Sequence, residues 1–158
     1  MSVQSTELGE QEAQALLAAL DDEYKAHATY EQVIRDFGAE RPFANIVEAE
    51  ARHIAALVTL FERYRLKVPP NPWPGKVPRY QSVDAACAAA VQAEIDNAAL
   101  YQRLLASTRR PDILAVFEAL HSASQDRHLP AFRRCVQRSA GGAGGRGGRR
   151  HTRGRGRS

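Results

Sequence analysis

Two segments of this chain carry glutamates inside apolar helical stripes, where a carboxylate is costly unless something holds it. Glu23-Tyr-Lys-Ala-His-Ala-Thr-Tyr30 and Glu94-Ile-Asp-Asn-Ala-Ala-Leu-Tyr101 each set a glutamate seven residues before a tyrosine, and the second follows the first by 71 residues. Behind each comes a histidine three residues after a polar side chain, in Glu50-Ala-Arg-His53 and in Gln125-Asp-Arg-His128. Residues three or four apart on a helix share a face, so Glu50 and His53 can reach one ion together, and Gln125 and His128 are spaced alike. Buried carboxylates converging with two imidazoles are best explained by a bound metal. Mixed oxygen and nitrogen donors favour iron or manganese over a thiolate-loving ion. A seven-residue step is nearly two turns, so the Tyr30 and Tyr101 phenols are placed to donate hydrogen bonds to ligands on neighbouring helices. His27 and His121, one and two turns from such positions, read as supporting or core groups rather than ligands.

Four helical segments must position these side chains. The first is expected from about Glu10 to Phe37, with Leu16, Leu20, His27, Tyr30, Ile34 and Phe37 near one stripe and Gly38 as terminator. Pro42 suits the first position of a second helix reaching about Leu66. Lys67 to Gln81 holds five prolines and a glycine, cannot be helical, and is too long for a tight turn. It fits a crossover along the bundle, pinned by Trp73. Ser82 caps a third helix to about Ser107, and Pro111 opens a fourth to about Arg138. Short link, long crossover, short link makes two antiparallel helical hairpins, an all-α four-helix bundle.

The formal charge of +4 conceals two different parts. Residues 139–158 contain six arginines and no acid, which leaves sixteen basic against eighteen acidic residues in the remainder. The expected domain, residues 8–138, is therefore slightly acidic, and residues 139–158 form a Gly/Arg-rich tail with nothing to bury, expected to be disordered. No apolar run approaches the roughly 20 residues of a membrane span, and the N-terminus lacks the pattern of a signal peptide. The expectation is a cytoplasmic protein without membrane contact.

Taken together, Asp-Glu-Tyr-Lys-Ala with Tyr30, Arg-Pro-Phe-Ala-Asn-Ile-Val-Glu-Ala-Glu-Ala-Arg-His53, Gln-Ala-Glu94-Ile-Asp-Asn-Ala-Ala-Leu-Tyr101 and Ser-Gln-Asp-Arg-His128-Leu-Pro-Ala-Phe resemble the rubrerythrin-like branch of the ferritin-like superfamily. More narrowly, they resemble the bacterial ferritin-like domains that lack a rubredoxin module. The resemblance covers about Leu8 to Arg138. It implies Glu23 as first-helix ligand, Glu50 and His53 as the second-helix pair, Glu94 as third-helix ligand and His128 as fourth-helix histidine. Two positions depart from the pattern: Gln125 stands where such di-iron sites carry a glutamate, and Asn97 where rubrerythrins have a further third-helix glutamate. Gln125 can bind a metal only as a weaker, neutral ligand, so the centre is expected to hold one or two iron ions, with manganese as the alternative. Asn97 puts peroxide reduction by the ligand exchange of rubrerythrins in doubt.

The function implied is a non-haem iron oxidoreductase acting on ferrous ion with dioxygen or peroxide, supplied with electrons by an external donor. Two cysteines and no Cys-x-x-Cys exclude a four-thiolate iron site within the chain. Cys87 precedes Glu94 by seven residues and Cys135 follows His128 by seven. On antiparallel helices this sets both thiols at one level, as neighbours able to form a disulfide; the alternative is two separate buried thiols. Two rival readings stand beside the enzyme: a helical binding or assembly module with a degraded, structural or single-metal site, and nonspecific nucleic-acid or anionic-surface association through the tail. A homodimer is expected from the resemblance alone.

Overall fold

The structure, a computed structural model, describes residues 7–142. They form α1 (Glu10–Phe37), α2 (Phe43–Arg63), α3 (Val83–Leu105), α4 (Pro111–Ala123), a π-helical turn (Ser124–His128) and α5 (Leu129–Gly142), with no strand among the described residues. Residues 143–158, most of the expected tail, lie outside the described residues.

Local chemistry explains the helix ends. Gly38 takes φ 91°, a left-handed conformation open to glycine, and its N–H bonds the Ile34 carbonyl to close α1. Pro42 lies one residue before α2 rather than inside it, and α2 ends at Arg63, short of the expected Leu66, where Arg65 turns to φ 57°. The Ser82 hydroxyl accepts from Ala85 N–H and caps α3. Pro111 opens α4, where its missing N–H costs no helical bond. The fourth rod is not one regular helix, as the periodicity suggests. A π-turn interrupts it at Ser124–His128, and it continues to Gly142, beyond the expected Arg138.

α1 packs on α2 and α3, and α3 packs on α4 and α5. The pairs Glu23–His53 and Tyr30–Phe43 show α1 and α2 antiparallel. Tyr30–Glu94 and Glu23–Tyr101 show the same of α1 and α3. The Pro-rich connection runs along α1 and is fastened to it by side chains. Tyr24 OH donates to the Pro69 carbonyl at 2.8 Å, Trp73 Nε1 to Asp21 at 3.0 Å, and the Arg79 guanidinium grips Asp36 through two nitrogens. Lys25 lies over the Trp73 ring at 5.2 Å, so the indole anchors the segment on both its face and its edge.

The core falls into two apolar clusters. One holds Leu16, Leu20, Leu57, Phe61, Ile113 and Phe117; the other holds Tyr30, Val33, Phe43, Ile46, Cys87, Phe132 and Cys135. Between them, at the level of Glu23, Glu50, Glu94 and His128, the bundle interior is charged. An apolar core would not be severed by ionisable groups without compensation, because each uncompensated buried ion costs several kcal/mol. This layer positions the site.

Candidate metal centre

Each rod contributes to the charged layer. Glu23 from α1, Glu50 from α2 and Glu94 from α3 are 2–3% exposed, and His128 from the π-turn is 4% exposed. His53, one turn after Glu50, completes the set from the rim. Ligating atoms of Glu23, Glu50 and His53 lie within 4.8 Å of one another, and so do those of Glu50, Glu94 and His128. Glu50 belongs to both triads. The structure thus brings together five of the six candidate ligands, Gln125 being the sixth.

Distances within the layer are informative. His53 Nδ1 lies 3.2 Å from Glu50 and 3.4 Å from Glu23; His128 Nδ1 lies 3.3 Å from Glu50 and 3.5 Å from Glu94. A charged N–H···O bond would settle at about 2.7–2.9 Å. Ligand atoms about 2.1 Å from a shared ion stand roughly 3.0–3.4 Å apart along an edge of its coordination shell. All four separations leave the donor atoms close enough to converge on a shared ion. The two imidazoles stack with centroids 5.6 Å apart and planes 22° apart, so they flank Glu50 side by side. Oxygen and nitrogen donors without sulfur form a set suited to iron or manganese.

The phenols cross between the repeats. Tyr30 OH donates to Glu94 Oε1 at 2.9 Å, and Tyr101 OH donates to Glu23 Oε1 at 2.7 Å. Each tyrosine thus serves the glutamate of the other repeat. Burial and the adjacent carboxylates hold both phenols well above the ordinary tyrosine pKa, so they remain protonated donors.

Protons balance the layer's charge. Burial opposes charging of His53 and His128, but the facing carboxylates outweigh it and push both up to about 9. Burial and the Glu50 charge push Glu23 up to about 8. Burial would also raise Glu50, yet hydrogen bonds from Glu23, His128 and His53 hold it below the usual carboxylate value.

Gln125, a possible ligand by its spacing, and His27 and His121, expected as supporting or core groups, make no hydrogen bond to the five residues among those described. Gln125 is half-buried. In an α-helix a three-residue step comes close to completing a turn; a π-turn takes more residues per turn, so the same step falls short. Position 125 therefore falls further from the His128 face than α-helical spacing would set it. His27 lies 3.8 Å from Glu31, one turn further along its own helix. His121 Nε2 is buried without a hydrogen-bond partner among the described residues.

Two contributors escaped the sequence reading. Ser124 is 2% exposed and its hydroxyl meets Glu94. Asp22 accepts a hydrogen bond from Asn97 Nδ2. Burial, with the charges of Glu23 and Glu94, raises Asp22 to about 6 against the opposing Asn97 bond. Only the i−4 spacing of Ser124 from His128 could have flagged the first. Beside the layer, a cavity of about 190 Å³ is lined by Tyr30, Glu50, Glu94, Asp22 and Asn97, with Tyr80 from the Pro-rich connection. One turn-pair away, Cys87 and Cys135 form a disulfide between α3 and α5.

No protein-family profile and no curated protein matches the chain. Among solved structures, it is similar to the hypothetical protein MJ0754 from Methanococcus jannaschii DSM 2661, with TM-score 0.77, 22% sequence identity, and 89% of this chain and 87% of that chain covered. At that identity the likeness speaks for the fold alone. The chain is an all-helical bundle with a carboxylate/histidine cluster able to hold a metal, and no described helix is long and apolar enough to cross a membrane.

Proposed function

We propose that this chain is a ferritin-like non-haem iron protein, an oxidoreductase that takes ferrous ion together with dioxygen or peroxide. The observation that carries the reading is the pair of triads sharing Glu50, with imidazole–carboxylate separations of 3.2–3.5 Å at the middle of the core. Glu23, Glu50 and His53 would hold one ion, and Glu50, Glu94 and His128 a second. Bound iron supplies one-electron chemistry and a Lewis-acidic open position. The protein's share is to orient Glu23 through Tyr101 and Glu94 through Tyr30, keeping each carboxylate in place. The apolar clusters above and below exclude bulk water, while the adjoining cavity leaves room for a small oxidant. Loading the metal-free protein anaerobically with ferrous ion, then admitting dioxygen or hydrogen peroxide, should produce ligand-to-metal absorption bands and consumption of the oxidant. Iron uptake without either change would refute the redox reading.

One observation favours a second reading, a single-metal or structural site in a helical assembly module. Gln125 makes no hydrogen bond to the five residues, and the triad of Glu50, Glu94 and His128 supplies three carboxylate or imidazole donors, one of them shared. Two ions per chain by elemental analysis, with repeated turnover, would refute that alternative.

A further inference from the structure

The π-turn does more than displace Gln125. Its i→i+5 bond, from Leu129 N–H to the Ser124 carbonyl, frames the five residues between which the rod changes register. Both ends of this turn, Ser124 and His128, are buried against Glu94. Ser124 Oγ lies 2.6 Å from Glu94 Oε2 and 3.1 Å from the Glu94 carbonyl. A hydroxyl has one proton, and the shorter contact, to the carboxylate, receives it. Glu94 Oε1 takes the Tyr30 phenol at 2.9 Å and faces His128 Nδ1 at 3.5 Å. Both of its oxygens are therefore held, from α1 and from the π-turn.

Glu23 is held differently. Its Oε1 accepts from Tyr101 at 2.7 Å, its Oε2 lies 3.4 Å from His53, and its carboxyl shares a hydrogen bond with Glu50. No hydroxyl corresponding to Ser124 reaches Glu23 Oε2 among the described residues. The two repeats, alike in their glutamate and tyrosine, differ at this oxygen. A hydroxyl on each oxygen fixes the plane of the Glu94 carboxylate, whereas Glu23 is held by one hydroxyl and otherwise only by the neighbouring His53 and Glu50.

Resting on the metal centre proposed above, we infer that Ser124 is a positioning residue that restricts Glu94 to single-oxygen coordination through Oε1, making the Glu50–Glu94–His128 half of the centre distinct from the Glu23–Glu50–His53 half. It substitutes geometric restraint for the carboxylate that residue 125 does not supply.

The test uses cobalt(II) as probe in the full chain, because its visible bands report each binding step without any turnover. Ser124→Ala should weaken one of two binding steps by about tenfold or more, the range typical of groups that orient a ligand, and leave the other in place. Ser124→Thr, which keeps the hydroxyl, should restore it, and Ser122→Ala, on the exposed face of α4, serves as control. In infrared difference spectra the separation of carboxylate stretches should narrow in Ser124→Ala, the mark of a carboxylate passing to two-oxygen binding. Unchanged affinities and an unchanged infrared pattern would overturn the inference. Equal weakening of both steps with a lowered unfolding midpoint would overturn it too, because that describes a merely structural serine. A metal-free arm separates this from the failure of the centre itself: Ser124→Ala and Glu94→Gln should be non-additive in urea unfolding, and additivity overturns the contact. Wild-type protein that binds no cobalt while that coupling persists would overturn the metal centre, and the inferred coordination with it.

Discussion

Raising the pH on metal-free protein should destabilise it, and the charged layer sets the size of the effect. Three groups dominate: His53 and His128, each pushed up to about 9, and Glu23, pushed up to about 8. In the unfolded chain a histidine titrates near 6.5 and a glutamate near 4.5. From pH 6 to 8 the folded chain therefore holds more protons at these groups than the unfolded chain does, and stability must fall as pH rises. For the imidazoles, the favourable contribution is complete below the unfolded value and disappears as pH passes the folded one. For Glu23 the same sign follows because its neutral form is favoured in the folded state. Each of the three loses about 2 kcal/mol between pH 6 and 8 by this linkage. They share one hydrogen-bonded cluster, so the total should be a few kcal/mol rather than the full sum. Asp22, raised to about 6, adds a small change of the same sign. Glu50, held low, acts only in more acidic solution. The assay is urea unfolding of chelator-treated protein at pH 6, 7 and 8 and constant ionic strength. Stability that is flat or rising over that range would refute the reasoning. Added metal should reverse the trend, since cations displace these protons and bind more tightly as pH rises.

Two further outcomes follow from the supporting contacts. Tyr101→Phe removes the 2.7 Å bond to buried Glu23 and should cost about 2 kcal/mol; denaturant midpoints compared with the half-buried control Tyr80→Phe would check it. Breaking the Cys87–Cys135 disulfide, by reduction or by the double alanine variant, opens a loop of 48 residues' separation and should cost about 4 kcal/mol on the chain-entropy account. Unfolding curves with and without reductant measure this directly, and coincident curves would contradict it.

What could be read along the chain was whatever depends on spacing within one helix. Glu50 and His53 share a face because three residues nearly complete a turn, and the breakers at Gly38, Pro70 and Pro111 mark where rods stop and start. The level of the cysteines was legible for the same reason, since seven residues from Glu94 and from His128 are equal distances along opposed helices. The spacing of Gln125 from His128 presumes α-helical periodicity, and a π-turn breaks that periodicity locally.

The linear order of residues determined by itself that four rods would exist, where they break, and that three carboxylates and two imidazoles sit on their inner stripes. These follow from propensity and period, which act over a few residues. Tertiary structure alone decided which phenol meets which glutamate, that Asn97 turns to Asp22, that the Ser124 hydroxyl meets Glu94, and that Glu50 stands in both triads. Those outcomes depend on the relative rotation and register of separate rods. Rotation and register are chosen by close packing of the two apolar clusters around the charged layer, an optimum over the whole interior that no single helix encodes.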